Sequence, residues 1–242
     1  MSRNFHITDH IAKKVLGAKV NTEPFKFFVV KNLIPNKYYQ VLIKNLPELK
    51  FYEPLMHRHT LIKGKPTRFE LSLSHKNGLS TLSDFFPGST IPIEIIGVLR
   101  SEWFKNLVLE KFESSLDVTP YLHLYKDMAG FNLPPHTDIV EKAITFGWYL
   151  PGDCKHSESG LKLFRKKGLE FEAFWTIPYE PNTAFAFLRS DSSWHGATHH
   201  PCVSYDRNSL FITFYKKKYY TDGHLLVDDP NVERKEINID EC

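Results

Sequence analysis

The chain has 242 residues, of which 42% are hydrophobic and 24% charged, with three cysteines and a formal net charge of +3. A chain of this size and composition buries roughly 70–75% of its unfolded surface, which excludes a disordered, collagen-like or disulfide-stapled protein. The charge balance is too slight for a nucleic-acid footprint, and runs such as Lys162/Arg165/Lys166/Lys167 and Lys216/Lys217/Lys218 read as solvated faces.

The first twenty residues carry no apolar leader core, and no apolar stretch approaches the roughly 18 residues of a membrane span. Cys154, Cys202 and Cys242 form no CxxC, and there is no Asn-x-Ser/Thr acceptor, so a reducing cytoplasm is the simplest compartment. No repeat, linker or composition shift marks a boundary, which predicts one domain over 1–242. Residues 36–46 predict a helix. Residues 92–116 predict a second, with Ile96, Leu99, Trp103 and Leu107 at three- and four-residue steps, Pro92 near its start and Pro120 beyond its end. The region 1–120 thus reads as a mixed helix and strand support. Within 50–90, Arg58, Lys63, Lys65 and Arg68 read as solvated surface, with a cover over a binding site as the other reading.

From Tyr121 the pattern changes to short β-type runs: YLHLY, AITFGWYL, GLKLF, FEAFW, TAFAFL and NSLFITFY, with further short segments around His136 and His195. Turn residues separate them and no helical pattern intervenes, which favours an antiparallel sandwich or barrel over 121–215. Residues 216–242 read as a polar tail, holding seven acids and two bases from Thr221 onward.

Phosphate-binding glycine loops, GxGxxG, HExxH and GxSxG are all absent. The segment PPHTD sets His136 and Asp138 two residues apart, so that both reach one face at a strand end. His195 follows in SSWHG. Two imidazoles and one carboxylate make the facial triad of non-haem iron(II) sites, which leaves coordination positions open and lacks the thiolates that select zinc. Twelve residues later Arg207 opens the last apolar strand, with Ser209 on the same face; a guanidinium fork with a hydroxyl suits a carboxylate.

His123 shares a face with Tyr121 and Tyr125 and reads as an interior histidine. His57 and His59 lack an acid partner, and His199 and His200 read as an exposed rim. Trp148, Trp175 and Trp194 read as core or rim aromatics.

The block 121–215 resembles the iron(II)/2-oxoglutarate-dependent oxygenases, especially the prolyl-4-hydroxylase-like branch. The likeness rests on His136-Thr-Asp138, His195-Gly196, and Arg207-Asn-Ser209 running into an aromatic strand, with Trp148-Tyr149-Leu150 and Gly160-Leu-Lys-Leu between them. It implies a mainly β protein with flanking helices around a double-stranded β-helix, a cupin-like jelly roll. By the same likeness His136, Asp138 and His195 ligate Fe(II), while Arg207 and Ser209, with Tyr125, hold 2-oxoglutarate. Such an enzyme uses O2, with ascorbate as supporting reductant, to hydroxylate a small molecule, amino acid or peptide and release succinate and CO2. The sequence departs from the branch in having Arg207 where a lysine is common and Leu133 where a tyrosine often precedes the first histidine. Asp138 argues against a halogenase. A cupin-like metal protein without 2-oxoglutarate and a β-sandwich binding module stay open.

Overall fold

A computed structural model describes residues 3–56, 60–73, 79–151, 157–199, 206–221 and 224–225. The order is α1 (Arg3–Gly17), β1 (Val20–Asn21), β2 (Phe27–Lys31), α2 (Asn36–Lys44), β3 (Glu53–Pro54), β4 (Leu61–Ile62), β5 (Lys65–Pro66), β6 (Arg68–Ser72), α3 (Leu79–Phe85), α4 (Ile91–Arg100) and α5 (Glu102–Lys111). There follow β7 (Val118–Asp127), β8 (Asn132–His136), β9 (Lys142–Tyr149), β10 (Leu161–Lys167), β11 (Glu170–Ile177), β12 (Thr183–Leu188), β13 (His195–Thr198), β14 (Arg207–Lys216), β15 (Tyr220–Thr221) and β16 (His224–Leu225).

Eight strands form one antiparallel sheet in the order β1-β2-β12-β9-β14-β7-β6-β3, and four form a second in the order β11-β10-β13-β8. From β7 to β14 the chain passes back and forth between the two sheets, apart from the β10-β11 hairpin, which stays in the second, and this is the winding of a double-stranded β-helix. The expectation of a jelly roll in the second half of the chain therefore holds. The larger sheet recruits further strands from the N-terminal part, since β2 pairs with β12 and β6 pairs with β7.

Strand alternation sorts the residues of the larger sheet into two sets. Leu122, Leu124, Ile144, Phe146, Trp148, Leu210, Ile212 and Phe214 face the helices and join the main core with Ile7, Ile11, Leu99, Phe104 and Val108. The opposite set faces the second sheet; there Phe27, Tyr149, Phe185 and Phe187 meet Leu161, Leu163 and Ile177 in a smaller core. Helices buttressing one sheet leave the space between the sheets for polar residues.

The helix expected over 92–116 is two helices. Ser101 breaks it: its backbone is extended, its hydroxyl donates to the Val98 carbonyl, and the same oxygen accepts from the Phe104 amide to cap α5. Trp103, placed on the core stripe by the single-helix reading, is 37% exposed as a result. His57, Arg58, His59, His200, the three cysteines and most of the C-terminal tail lie outside the described residues. Among the described residues no helix is long and apolar enough to cross a membrane.

Candidate metal centre and cosubstrate cavity

His136 ends β8 and His195 begins β13, and the two are paired across that ladder. Asp138 follows two residues beyond His136. The three side chains each offer a ligand atom within 4.8 Å of the others, and the imidazole rings stand 4.3 Å apart. Gly196 permits this approach: a Cβ there would lie 2.6 Å from the Leu133 carbonyl oxygen. The sequence pair His195-Gly196 thus has a steric reason.

Both imidazoles are oriented by backbone. Nδ1 of His136 is 2.9 Å from the Pro134 carbonyl, and Nδ1 of His195 is 2.9 Å from the Ser193 carbonyl. A carbonyl oxygen only accepts, so each Nδ1 carries the hydrogen and each Nε2 keeps its lone pair. Burial pushes the His136 imidazole down to about 4, helped by His195, and burial also lowers His195. Both are neutral donors at neutral pH. Asp138 accepts 2.6 Å from the Lys142 ammonium at Oδ1 and 2.7 Å from the Thr145 hydroxyl at Oδ2, which lies 4.0 Å from Nε2 of His195. Burial alone would raise its pKa; the charge of Lys142, with the hydrogen bonds from Lys142 and Thr145, outweighs this and holds it well below the usual carboxylate range. Two neutral nitrogens and one ionised oxygen suit Fe(II).

The cavity beside this triad is lined by Leu133, Leu161, Phe187, Ala197 and Phe211 and by the polar groups of Arg68, His123, Tyr125, Lys142, Thr145 and Arg207. Arg207 is 1% exposed. Its Nε donates 2.6 Å to the Ser159 carbonyl and one terminal nitrogen donates 2.6 Å to Asp127 Oδ2, while the other terminal nitrogen is buried without a hydrogen-bond partner. The hydroxyl of Ser209, two residues on and fully buried, also has none. Unsatisfied buried donors of this kind are costly and fit an acidic ligand group. Ser209 is flanked by Tyr125 and Tyr149 across the sheet and is not among the residues lining the cavity. Tyr125 lines the cavity, and burial, reinforced by Glu70, raises its phenol well above the ordinary value, so it keeps its proton.

Five of the six residues singled out from sequence, Tyr125, His136, Asp138, His195 and Arg207, line this one cavity, Ser209 is not among the lining residues, and the structure adds four more. Lys142 and Thr145 hold Asp138. Asp127 continues the alternation of Tyr121, His123 and Tyr125 by one more step, a signal present in the sequence. Arg68 corrects its surface reading: it is on β6, lines the cavity, and donates to Asp127 at 2.6 and 2.9 Å, whereas Lys63 and Lys65 are exposed as expected. His199 also departs from its exposed-rim reading, being fully buried with Nδ1 3.1 Å from the Ser159 hydroxyl. His123 is interior as expected, with an Nδ1 that makes no hydrogen bond. Trp148 is core, and Trp175 and Trp194 lie outside the cavity lining.

No family model matches the sequence, and neither does any curated protein. Solved structures do match the fold. A prolyl 4-hydroxylase from Phytophthora capsici superposes with a TM-score of 0.57 at 16% identity, covering 90% of this chain and 67% of that one. A prolyl-4-hydroxylase from Pseudomonas putida gives 0.55 at 12%, covering 85% and 98%. A prolyl hydroxylase from Trichoplax adhaerens, in complex with a hypoxia inducible factor oxygen degradation domain peptide fragment, gives 0.54 at 10%, covering 87% and 91%. The chain has the double-stranded β-helix fold of the prolyl hydroxylases.

Proposed function

We propose that this protein is an Fe(II)- and 2-oxoglutarate-dependent oxygenase that hydroxylates a C–H bond of a small-molecule, amino-acid or peptidyl substrate. The observation that carries this reading is one cavity lined both by the His136/Asp138/His195 donor set and by Arg207, which has a buried terminal nitrogen without a hydrogen-bond partner, as does the hydroxyl of Ser209 two residues on. When bound, Fe(II) with 2-oxoglutarate and O2 supplies the oxidising chemistry, converting the cosubstrate to succinate and CO2 and delivering an oxygen atom to the substrate.

The protein's own residues bind, orient and exclude water. Nε2 of His136, Nε2 of His195 and Oδ2 of Asp138 hold the metal, with Lys142 on the other carboxylate oxygen. Arg207 and Ser209 donate to the distal carboxylate of 2-oxoglutarate, with the protonated Tyr125 phenol as a further donor from β7. Phe187, Phe211, Leu133 and Leu161 keep the space between apolar, where charge-assisted hydrogen bonds are strongest. The Trichoplax adhaerens structure with its peptide supports a peptidyl substrate, prolyl among them, for a cavity of this fold.

The test is turnover of 2-oxoglutarate to succinate by purified protein with Fe(II) and ascorbate, coupled to a substrate screen read by mass spectrometry for a gain of one oxygen. His136→Ala/Asp138→Ala should abolish metal binding and turnover; metal binding unchanged in that variant would overturn the triad. The second reading, a cupin-like metal protein, predicts that Arg207→Ala alters nothing at the metal or with 2-oxoglutarate. The oxygenase reading predicts lost 2-oxoglutarate binding with metal retained.

A further inference from the structure

Arg68 comes from β6, a strand outside the jelly roll proper that pairs with β7 at its edge. Its guanidinium sits 4.0 Å from the centre of the Phe131 ring and 4.4 Å from that of Tyr125, and its side chain is 11% exposed. Two of its nitrogens grip both oxygens of Asp127, and the same Oδ2 also accepts from Arg207. Asp127 is therefore a fully buried carboxylate shared between two guanidiniums. Burial opposes its ionised form, and the two cations outweigh that and keep it charged.

The shared carboxylate sets the charge at this end of the cavity, since Lys142 and Asp138 neutralise each other beside the triad. Two guanidiniums and one carboxylate leave one net positive charge, the complement of a single carboxylate on a ligand. Without Arg68, Asp127 would be free to turn both oxygens onto Arg207, in the fork-to-fork pairing that guanidinium and carboxylate favour, and would take up the nitrogen now left without a partner. The local charge would fall to zero at the same time.

The geometry points to Arg68 as a positioning residue for cosubstrate binding: by holding Asp127, it keeps one nitrogen of Arg207 and one unit of positive charge available to the distal carboxylate of 2-oxoglutarate. This deepens the oxygenase reading and rests on it. It also gives the N-terminal part of the chain a chemical part in the site, because β6 carries the residue.

Charge-resolved variants test it by titration calorimetry of the full chain loaded with Mn(II) in place of iron, with thermal melting to confirm folding. Arg68→Lys keeps the cation beside Asp127 and should bind 2-oxoglutarate within about threefold of wild type. Arg68→Gln keeps donors but not charge and should bind about tenfold or more weakly, the scale of one charge-assisted hydrogen bond. Arg68→Gln/Asp127→Asn restores the net positive charge on Arg207 and should recover most of that loss, which a merely structural role for Arg68 would not allow. Arg68→Gln binding as wild type does, or a double variant as weak as the single one, would overturn the proposal with the oxygenase reading intact. Wild type that binds no 2-oxoglutarate would overturn both.

Discussion

Nζ of Lys142 donates a 2.6 Å hydrogen bond to Oδ1 of Asp138, leaving Oδ2 as the oxygen that faces His195. The pair lies four residues apart, yet it spans the turn between β8 and β9 and is largely buried. A carboxylate held this way offers a single oxygen to a metal and cannot swing to chelate it through both. Removing partners that orient metal ligands commonly costs about 10–100-fold in metal affinity or activity. Lys142→Met should lower Fe(II) affinity and 2-oxoglutarate turnover within that range, measured by metal titration and succinate release. Unchanged values would show that the ammonium merely balances charge.

Ser209 separates binding from stability. Its buried hydroxyl has no hydrogen-bond partner in the fold, so Ser209→Ala removes no protein contact and relieves an unsatisfied polar group. The melting temperature of Ser209→Ala should equal or exceed that of wild type. Its affinity for 2-oxoglutarate should fall several-fold, by about 1 kcal/mol, the net worth of one hydrogen bond. A loss of stability with binding unchanged would place the hydroxyl in the packing of β14 alone.

Gly196 follows a proposed ligand and lies where β13 meets β8. Gly196→Ala puts a Cβ 2.6 Å from the Leu133 carbonyl oxygen and 3.1 Å from the Pro134 carbonyl carbon, and backbone cannot rotate away as a side chain can. The strands must separate, which moves His195 relative to His136. Overpacking of this kind costs about 1–3 kcal/mol. Denaturant unfolding should register that loss, and metal affinity should fall with it.

Six of the jelly-roll strands were legible because each carries a short apolar run closed by turn residues, and TAFAFL at 183–188 coincides with β12, whereas β8 and β13 lack such a run and were expected only as short segments around His136 and His195. The six proposed site residues were legible because metal and carboxylate chemistry restrict residue type and spacing. Arg68 was not, and the alternation that puts Asp127 on the face of Tyr121, His123 and Tyr125 does not name its partner, for a physical reason. A charged residue in a short strand looks the same in sequence whether water or a partner 59 positions away neutralises it. Only the pairing of β6 with β7 makes that partner visible. The break at Ser101 escaped for a similar reason, since the apolar steps continue across it while the hydroxyl does the capping.

Acid should unfold the metal-free protein through its buried histidines. His123 is 5% exposed, with Tyr121, Tyr125 and Phe211 around it and Glu70 3.8 Å from its Nδ1. Burial, and then the charges of Lys142 and Arg68, push its imidazole down to about 3 from an ordinary 6.5. Because the folded value lies below the unfolded one, the unfolded chain takes up a proton between pH 6.5 and 3 that the folded chain refuses. Stability is therefore full above pH 6.5 and falls as pH drops through that window, by at most about 1.4 kcal/mol per pH unit for this one group. His136 and His195 shift in the same direction and add to the slope when no metal holds them. Melting temperatures of the metal-free protein should decline steadily from pH 7 to pH 4. His123→Phe removes one titrating group while keeping a ring among aromatic neighbours, so its decline should be shallower. Equal slopes for His123→Phe and wild type would mean that His123 gains its proton in the folded state, against its burial.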